Sequence, residues 1–289
     1  MFDQVEAFYR PESVAEALRL LERGKGHAHL VAGGTDLVAG GGRSVRFLID
    51  LTGAGLSYIR KRDGVCAIGA TTTMAELEES TALRAIAGGL LSRAAATCGS
   101  VQIRNRATLG GNLAHGSSAA DLVTPLLALD AFVVVAHGLG RRKTGLAEYL
   151  ERAHVRIGAP SLLVEVGVPE SLRGARCGWS FQKFGRTETD ISLLNAAAGL
   201  QLDARGRVKW ARLALGAVGE FPFRLFRVEE LMTGRELDHT LLAEAREQVM
   251  RDVKPITDQR ASAEFRRELS RVLAGRAWEE CADQARHAI

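Results

Sequence analysis

The sequence predicts an α+β fold built from three consecutive units, at residues 1–54, 55–172 and 173–289. Two observations predict it. Helical and strand patterns alternate along the first two units, which is typical of α/β structure. After Pro169 the pattern changes to apolar segments joined by short turns, which is typical of antiparallel strands, and two helical segments follow.

The first unit is predicted to contain one helix and two short strands. Ser13 and Glu16 have the spacing of a capping box, apolar residues recur behind them at helical spacing, and Gly24 is placed to end the helix. The segments AHLV and VRFLIDLT predict the strands. Together these segments indicate a small α/β unit.

The second unit is predicted to be a larger α/β unit. The segment GVCAIGATTTMAELEES has the pattern of strand, turn and helix, and Thr73 and Glu76 match another capping box. The segment ALRAIAGGLLSRAAATCG predicts a long helical stretch, and AFVVV and SLLVEVGVP predict strands.

The third unit is predicted to combine an antiparallel sheet with helices. The segments GWSFQKFGR and NAAAGLQLDARGRVKWARLALGAVG predict strands, with DARG as a hairpin turn. Amphipathic helices are predicted near residues 225–252 and 261–286, and the second carries Phe265, Leu269 and Leu273 along one face.

Composition and charge exclude several classes of protein. The chain is 46% hydrophobic and 25% charged, and its net charge of +4 includes no Lys/Arg-rich run interleaved with aromatics, so no nucleic-acid partner is expected. Its four cysteines lack metal-ligand spacing, which predicts a reducing compartment such as the cytoplasm and no iron–sulfur cluster on this chain. Without a signal-peptide pattern or an apolar run of membrane-spanning length, no membrane insertion is expected.

Two glycine pairs are the first candidates for a binding site. Gly33 and Gly34 directly follow a predicted strand, where bare backbone N–H groups can face an anion, and Thr35 adds a hydroxyl. Taken alone this pair also fits an ordinary tight turn. The second pair, Gly110 and Gly111, stands in ATLGGNLAHGSS with further hydroxyl and amide groups. Two such turns favour a ligand with two phosphates.

Three further positions have polar side chains whose roles can be interpreted in more than one way. Asp121 precedes an apolar helical run, so it either caps that helix or accepts hydrogen bonds from a ribityl or ribose hydroxyl. Lys183 stands with other charged residues in FQKFGRTETDIS, which composition alone describes as a solvated strand face. His115 has no second ligand at metal-binding spacing, so a hydrogen-bonding loop histidine is favoured over a metal site.

Together these motifs carry a family resemblance that covers essentially the whole chain. VAGGTDL, QIRNRATLGGNLAHGSSAADLVTPLLALDA, LLVEVGVP and FQKFGRTETDIS resemble the FAD-binding subunit of molybdenum hydroxylases, the group of xanthine dehydrogenase, aldehyde oxidase and carbon monoxide dehydrogenase. The resemblance implies two α/β FAD-binding subdomains of the PCMH type and a C-terminal antiparallel sheet with helices. Ile191 stands where the carbon monoxide dehydrogenase branch tends to have an aromatic residue, so the context is more similar to the xanthine dehydrogenase branch.

The resemblance also implies which residues contact FAD. The two glycine turns would bind the pyrophosphate, Asp121 the polyol or ribose portion, Leu163 the adenine, and Lys183 and Ile191 the flavin. The full set of implied FAD-binding positions is Val31, Ala32, Gly33, Gly34, Thr35, Asp36, Thr108, Gly110, Gly111, Asn112, Ser117, Asp121, Leu163, Lys183 and Ile191.

The function implied by the resemblance is electron transfer within a heterotrimer. Molybdopterin would lie on a large partner subunit and [2Fe-2S] clusters on a small one, and electrons would leave through FAD on this chain to NAD⁺ or another acceptor. Two alternatives remain open. One is a stand-alone flavin oxidoreductase, which the absence of an obvious acid/base pair in the sequence disfavours. The other is a non-catalytic nucleotide-binding module.

Overall fold

The computed structural model describes five stretches of the chain, which are residues 4–40, 45–138, 140–153, 160–170 and 175–287. Within them lie sheets of three, five and four strands, one in each of the three predicted units. The predicted α+β class is confirmed. No helix among the described residues has both the length and the apolar character that crossing a membrane requires.

The first unit is a small parallel sheet with two helices. Its elements are β1 (Ala7–Tyr9), α1 (Val14–Arg23), β2 (Ala28–Val31), α2 (Thr35–Gly40) and β3 (Phe47–Asp50). Both β1 and β2 pair in parallel with β3. Ser13 caps α1 by accepting the Glu16 N–H at 3.2 Å, but the Glu16 carboxylate accepts from the N–H of Glu12, so only half of the predicted capping box forms.

The second unit is an antiparallel sheet in the order β4-β5-β8-β6-β7, with helices against it. Its elements are β4 (Ile59–Arg62), β5 (Val65–Gly69), α3 (Met74–Glu79), α4 (Thr81–Arg84), α5 (Leu90–Ala96), α6 (Val101–Arg104), α7 (Leu109–His115), α8 (Val123–Ala128), β6 (Phe132–His137), β7 (Gly140–Gly145), α9 (Leu146–Ala153) and β8 (Ser161–Pro169).

Capping chemistry and glycines shape the helices of this unit. The capping box of Thr73 and Glu76 forms completely, as predicted. The long helical stretch expected after it is broken, because Gly88 and Gly89 adopt φ values of +57° and +73°. Residues with positive φ do not continue a right-handed helix, so α4 and α5 are separate elements.

The third unit is an antiparallel sheet in the order β12-β11-β10-β9, covered by helices. Its elements are β9 (Cys177–Phe184), β10 (Leu194–Leu202), β11 (Val208–Gly216), β12 (Phe223–Arg224), α10 (Phe226–Met232), α11 (His239–Asp252) and α12 (Ala263–His287). The predicted DARG turn joins β10 to β11, and its Asp203 N–H donates to the Arg207 carbonyl at 2.8 Å.

Two sequence expectations for these helices need correction. The helix predicted near residues 225–252 is two helices, since Gly234 between them adopts a φ of +82°. On α12, Leu269 and Leu273 are buried as predicted, but Phe265 is 46% exposed and lies beside the ring of Phe184 at 6.1 Å between centroids. Phe265 therefore belongs to a surface aromatic pair, outside the core.

The three units pack against one another, and these contacts determine which surfaces lie next to each other. On one face of the five-stranded sheet, Leu162 and Val164 pack with Ala17 and Ile49 of the first unit. Helix α8 packs against β10 and β11 of the third unit. The glycine turns therefore lie between the first two units, and the segment that follows α7 lies between the second and the third.

Candidate functional site

The first glycine turn connects β2 to α2 and leaves hydrogen-bond donors open. Gly34 adopts a φ of +74°, a conformation that favours glycine. The first N–H groups of a helix have no partner within it. Within the described part of the chain, the N–H groups of Gly34, Thr35 and Asp36 have no acceptor. The turn therefore offers several adjacent donors at the positive end of a helix dipole, which suits an anion.

The second glycine turn is the start of α7. Thr108 caps this helix, and its Oγ1 accepts the N–H of Gly111 at 3.1 Å. Among the described residues, a Cβ at Gly111 would meet only that Oγ1, at 3.0 Å, and no other heavy atom within 4 Å outside its own helix turn and chain neighbours. The side-chain oxygen Oδ1 of the next residue, Asn112, is buried and has no hydrogen-bond partner among the described residues. This turn therefore presents open space and an unused acceptor.

The two turns face each other across one cavity. Gly33 lies so close to the second turn that a Cβ there would be 1.9 Å from the carbonyl oxygen of Arg106. The cavity between the turns measures about 450 Å³. It is lined by His29, Leu30, Val31, Ala32, Gly33, Gly34, Thr35, Asp36, Leu37, Gly40, Met74, Ala107, Thr108, Gly111, Asn112, Ala114 and His115.

Most of the predicted pyrophosphate positions line this cavity, but Gly110 does not. Gly110 is buried, its N–H donates to the carbonyl of Ala70 at 2.8 Å, and a Cβ there would lie 2.7 Å from the Cβ of Ala70. Its N–H is therefore not available to a phosphate. This glycine lets α7 pack closely against the end of β5, and its contact with the pyrophosphate stays a prediction.

A second group of predicted residues meets between the second and third units. Lys183, at the end of β9, places its Nζ 2.7 Å from Oδ2 of Asp121 and 2.8 Å from the carbonyl of Thr97. The side chains of Lys183 and Asp121 are only 8% and 10% exposed. The solvated strand face that composition favoured for Lys183 is therefore wrong, and the residue forms a buried ion pair.

The Asp121 carboxylate is held entirely by protein groups. Its Oδ1 accepts hydrogen bonds from the Ser192 hydroxyl and, at 3.1 Å, from the Asn195 amide. Burial, followed by the charge of Asp121, raises the pKa of the Cys98 thiol, which donates to the carbonyl of Ala94 at 3.7 Å. Asp121 does not cap α8, whose N-cap is Leu122 without a side-chain hydrogen bond. Of the two alternatives for Asp121, helix capping is therefore wrong, and the contact with a ligand hydroxyl stays a prediction.

The remaining predicted residues lie outside the cavity lining. Ser117 follows α7, and its Oγ accepts the N–H of Ala119 at 3.2 Å. Leu163 is 8% exposed in the core of the five-stranded sheet. Ile191 is 58% exposed on the connection between β9 and β10. Conversely, His29 and Met74 line the cavity, and no motif in the sequence marked either of them.

The residues present fit a dinucleotide cofactor such as FAD at the cavity. Backbone donors of the first turn line it, a Cβ at Gly111 in the second turn would project into it, and the Asn112 oxygen lacks a donor among the described residues. The volume lies within the range usual for ligand pockets, roughly 300–1,000 Å³. No group of three or more His, Cys, Asp or Glu residues in the described stretches could hold a metal ion.

Comparison with known proteins gives the same answer along nearly the whole chain. Residues 2–171 match the family described as the FAD binding domain in molybdopterin dehydrogenase, and residues 179–281 match the CO dehydrogenase flavoprotein C-terminal domain. The chain is 36% identical over 296 residues to subunit alpha of the 6-hydroxypseudooxynicotine dehydrogenase complex of Paenarthrobacter nicotinovorans, covering 99% of this chain and 96% of that one.

Solved structures agree with these matches. One chain of the reconstituted CO dehydrogenase from Oligotropha carboxidovorans superposes with a TM-score of 0.91 at 26% identity, covering 98% of this chain and 100% of that one. One chain of quinoline 2-oxidoreductase from Pseudomonas putida 86 gives a TM-score of 0.89 at 27% identity, with 99% of each covered. The fold, the glycine-lined cavity and the two family matches establish that the chain belongs to the FAD-binding medium subunits of molybdenum hydroxylases.

Proposed function

We propose that this chain takes electrons from [2Fe-2S] clusters on a small partner subunit and passes them, through its FAD, to NAD⁺ or another acceptor. Molybdopterin would be bound by a large partner subunit. The observation that carries the proposal is the cavity between the two glycine turns, where donors and space converge on one ligand. A reducing compartment such as the cytoplasm suits this role, since none of the four cysteines forms a disulfide.

The binding roles follow from what each turn leaves open. The backbone of Gly34, Thr35 and Asp36 would hold one phosphate, and the open side of Gly111 would accommodate the other. Asn112 would accept a hydrogen bond from a ligand hydroxyl through its Oδ1. Val31, Ala32 and Thr108 would shape the walls of the same cavity; each of them lines it.

The flavin would lie toward the contact between the second and third units. Lys183 would contribute a positive charge there, and Ile191 would lie beside the ring on the exposed connection before β10. As the resemblance implies, Leu163 would contact the adenine, and Ser117 would contact FAD from the segment after α7. When bound, FAD supplies a redox centre that can accept two electrons from one-electron donors and pass them on as a pair. We also propose unit boundaries at residues 54 and 172.

Purification of the tagged chain from its own cells would test this proposal. Molybdenum, iron and two further chains should co-purify with it, and the complex should reduce NAD⁺ or an artificial acceptor when given a substrate of the large subunit. A flavoprotein that turns over substrate without partner chains would indicate the stand-alone oxidoreductase instead. A colourless chain that binds adenine nucleotides but no flavin would indicate the nucleotide-binding module.

A further inference from the structure

One face of the five-stranded sheet carries positive charge that the proposed FAD site does not use. Residues that are paired across neighbouring strands have side chains on the same face of a sheet. The registers of this sheet therefore place Arg60, Arg62, Arg141 and Lys143 on one face. All four residues are exposed. We call this surface the cationic face.

Two aromatic rings lie beneath two of these cations. The ring of Phe132 packs onto Gly167, where a Cβ would overlap it, so glycine is required there. The Nζ of Lys143 lies 3.6 Å from the centre of that ring. The guanidinium of Arg60 lies in a similar way over the ring of Tyr58, at 4.7 Å from its centre. Both contacts are cation–π interactions, which hold the charged groups in place.

One buried acid lies under this layer and compensates only part of its charge. Glu165 is 7% exposed, and its Oε1 accepts from the guanidinium of Arg62 at 3.1 Å. The other three cations, Arg60, Arg141 and Lys143, form no ion pair with an acid in the stretches that the structure describes. The cationic face therefore presents an excess of positive charge to its surroundings.

This arrangement suits an acidic surface of another protein. A positive surface steers and selects partners of opposite charge. Ordering long side chains on association costs conformational entropy, but the rings already restrict Arg60 and Lys143 in the free chain. Single-stranded nucleic acid is a less suitable partner, because its bases stack on open aromatic rings. Here the cations cover both rings.

The position of the cationic face restricts which partner can reach it. The opposite face of the sheet, which includes Ile68 and Val166, shares a core with Trp179 of the third unit. The proposed function places the flavin toward that side. An electron donor has to approach the flavin, so we expect the iron–sulfur subunit on the side of the sheet away from the cationic face. The large subunit is then the partner chain that can cover the cationic face.

We propose that the cationic face docks an acidic surface of the large partner subunit. The inference rests on the proposed function, which supplies the complex and its partner chains. It gives the five-stranded sheet a role in assembly, separate from the cavity that would hold FAD, since none of the four cations lines that cavity.

The test reverses two of these charges in the full chain. Arg60→Glu with Lys143→Glu changes the two cations that lie over rings and leaves the ion pair beneath them intact. Arg205→Glu with Lys209→Glu is the matched control, because it reverses one exposed Arg and one exposed Lys between β10 and β11 of the third unit. Each tagged chain is purified from its own cells. The large chain bound to it is quantified at increasing ionic strength, and its Kd is obtained by dilution of the complex.

Only the first double variant should lose the large chain. We expect its Kd to rise on the order of a hundredfold, because like charges that face each other across an interface are strongly unfavourable. The control should match wild type. The wild-type complex should also dissociate more readily as salt is added, since ions screen exposed charges. Equal retention of the large chain by the first variant and the control, at every ionic strength, would overturn the proposal.

A neutral double variant, Arg60→Gln with Lys143→Gln, guards against misfolding. It removes the charges without adding acids, so it should weaken binding of the large chain less than the reversal does. Its Tm and its FAD content should stay close to those of wild type, because both side chains lie outside the cavity. If the charge reversal does not fold, the comparison of this neutral variant with the control decides.

The remaining outcomes separate the docking site from the proposed function. Loss of the small chain alone would overturn the docking site, and so would release of bound nucleic acid with the large chain retained. If the wild-type chain brought down no partner chains, the proposed function itself would fail. If the wild type brought down both partner chains and the variants matched the control, only the docking site would fail.

Discussion

Replacing Gly111 by valine should weaken FAD binding strongly while the fold survives. In the part of the chain that the structure describes, a Cβ at Gly111 would meet only Oγ1 of Thr108, at 3.0 Å, and otherwise points into the cavity. In the interior of a helix, valine is favoured over glycine by a few tenths of a kcal/mol. We therefore expect the free energy of unfolding of the ligand-free chain to change by less than about 1 kcal/mol.

The valine side chain should instead weaken the binding of FAD. Inserting methyl groups into a space that another group fills costs about 1–3 kcal/mol. That range corresponds to a rise in the Kd for FAD of roughly five- to 150-fold. A phosphate on fixed backbone donors cannot move away as a flexible side chain would, so we expect the upper part of this range.

The assay is titration of the ligand-free chain with FAD, followed by flavin fluorescence and by the Tm without ligand. Gly145→Val is the control, because no heavy atom of the described residues lies within 4 Å of a Cβ at Gly145 and this residue lies outside the cavity. Gly33→Val should behave differently and fail to fold, since its Cβ would lie 1.9 Å from the Arg106 carbonyl. A folded Gly111→Val chain with wild-type affinity for FAD would refute the assignment of this cavity.

Three further predictions concern charged groups. Lys183→Met leaves a buried carboxylate without its cation and should cost about 3–5 kcal/mol of stability, measured by denaturant unfolding; an unchanged midpoint would contradict the buried ion pair. Burial and the hydrogen bond to Glu165 raise the pKa of Tyr58 from 10.0 to about 12, so its neutral form contributes stability below pH 10.0 that is lost as the pH rises toward 12. In an absorbance titration, the tyrosine that ionises at the highest pH should therefore be absent from Tyr58→Phe. The Arg266 guanidinium lowers the pKa of Asp258 from 3.8 to about 2. The ionised carboxylate therefore stabilises the fold above pH 3.8, and this stabilisation is lost as the pH falls toward 2. The Tm difference between wild type and Asp258→Asn should shrink over that acid range, and a constant difference would argue against the pairing.

Features that depend on local chemistry could be predicted from the sequence. The capping residues Ser13 and Thr73 act on N–H groups three positions away, and Asp203 closes its turn with Arg207 four positions on. Glycine turns that follow a strand or open a helix are equally local. For this reason the starts of these helices and the hairpin agree with expectation.

Features that depend on packing could not be predicted in this way. Gly110 and Gly111 are adjacent glycines in one motif, and only the contact of the first with Ala70 separates a packing role from a binding role. Asp121 finds its partners 62 to 74 positions away, at Lys183, Ser192 and Asn195. A single sequence carries no signal for such pairs. The three-residue strand β1 was missed because it is too short to show a period.

The central claim is that FAD binds to this chain, and the visible spectrum of the purified chain tests it most directly. The account predicts flavin absorption bands that bleach with dithionite, and one FAD released per chain on denaturation. If the chain is purified without ligand, added FAD should restore the bands in wild type at concentrations that leave Gly111→Val largely unoccupied. A folded wild-type chain that is colourless and takes up no added FAD would contradict the account.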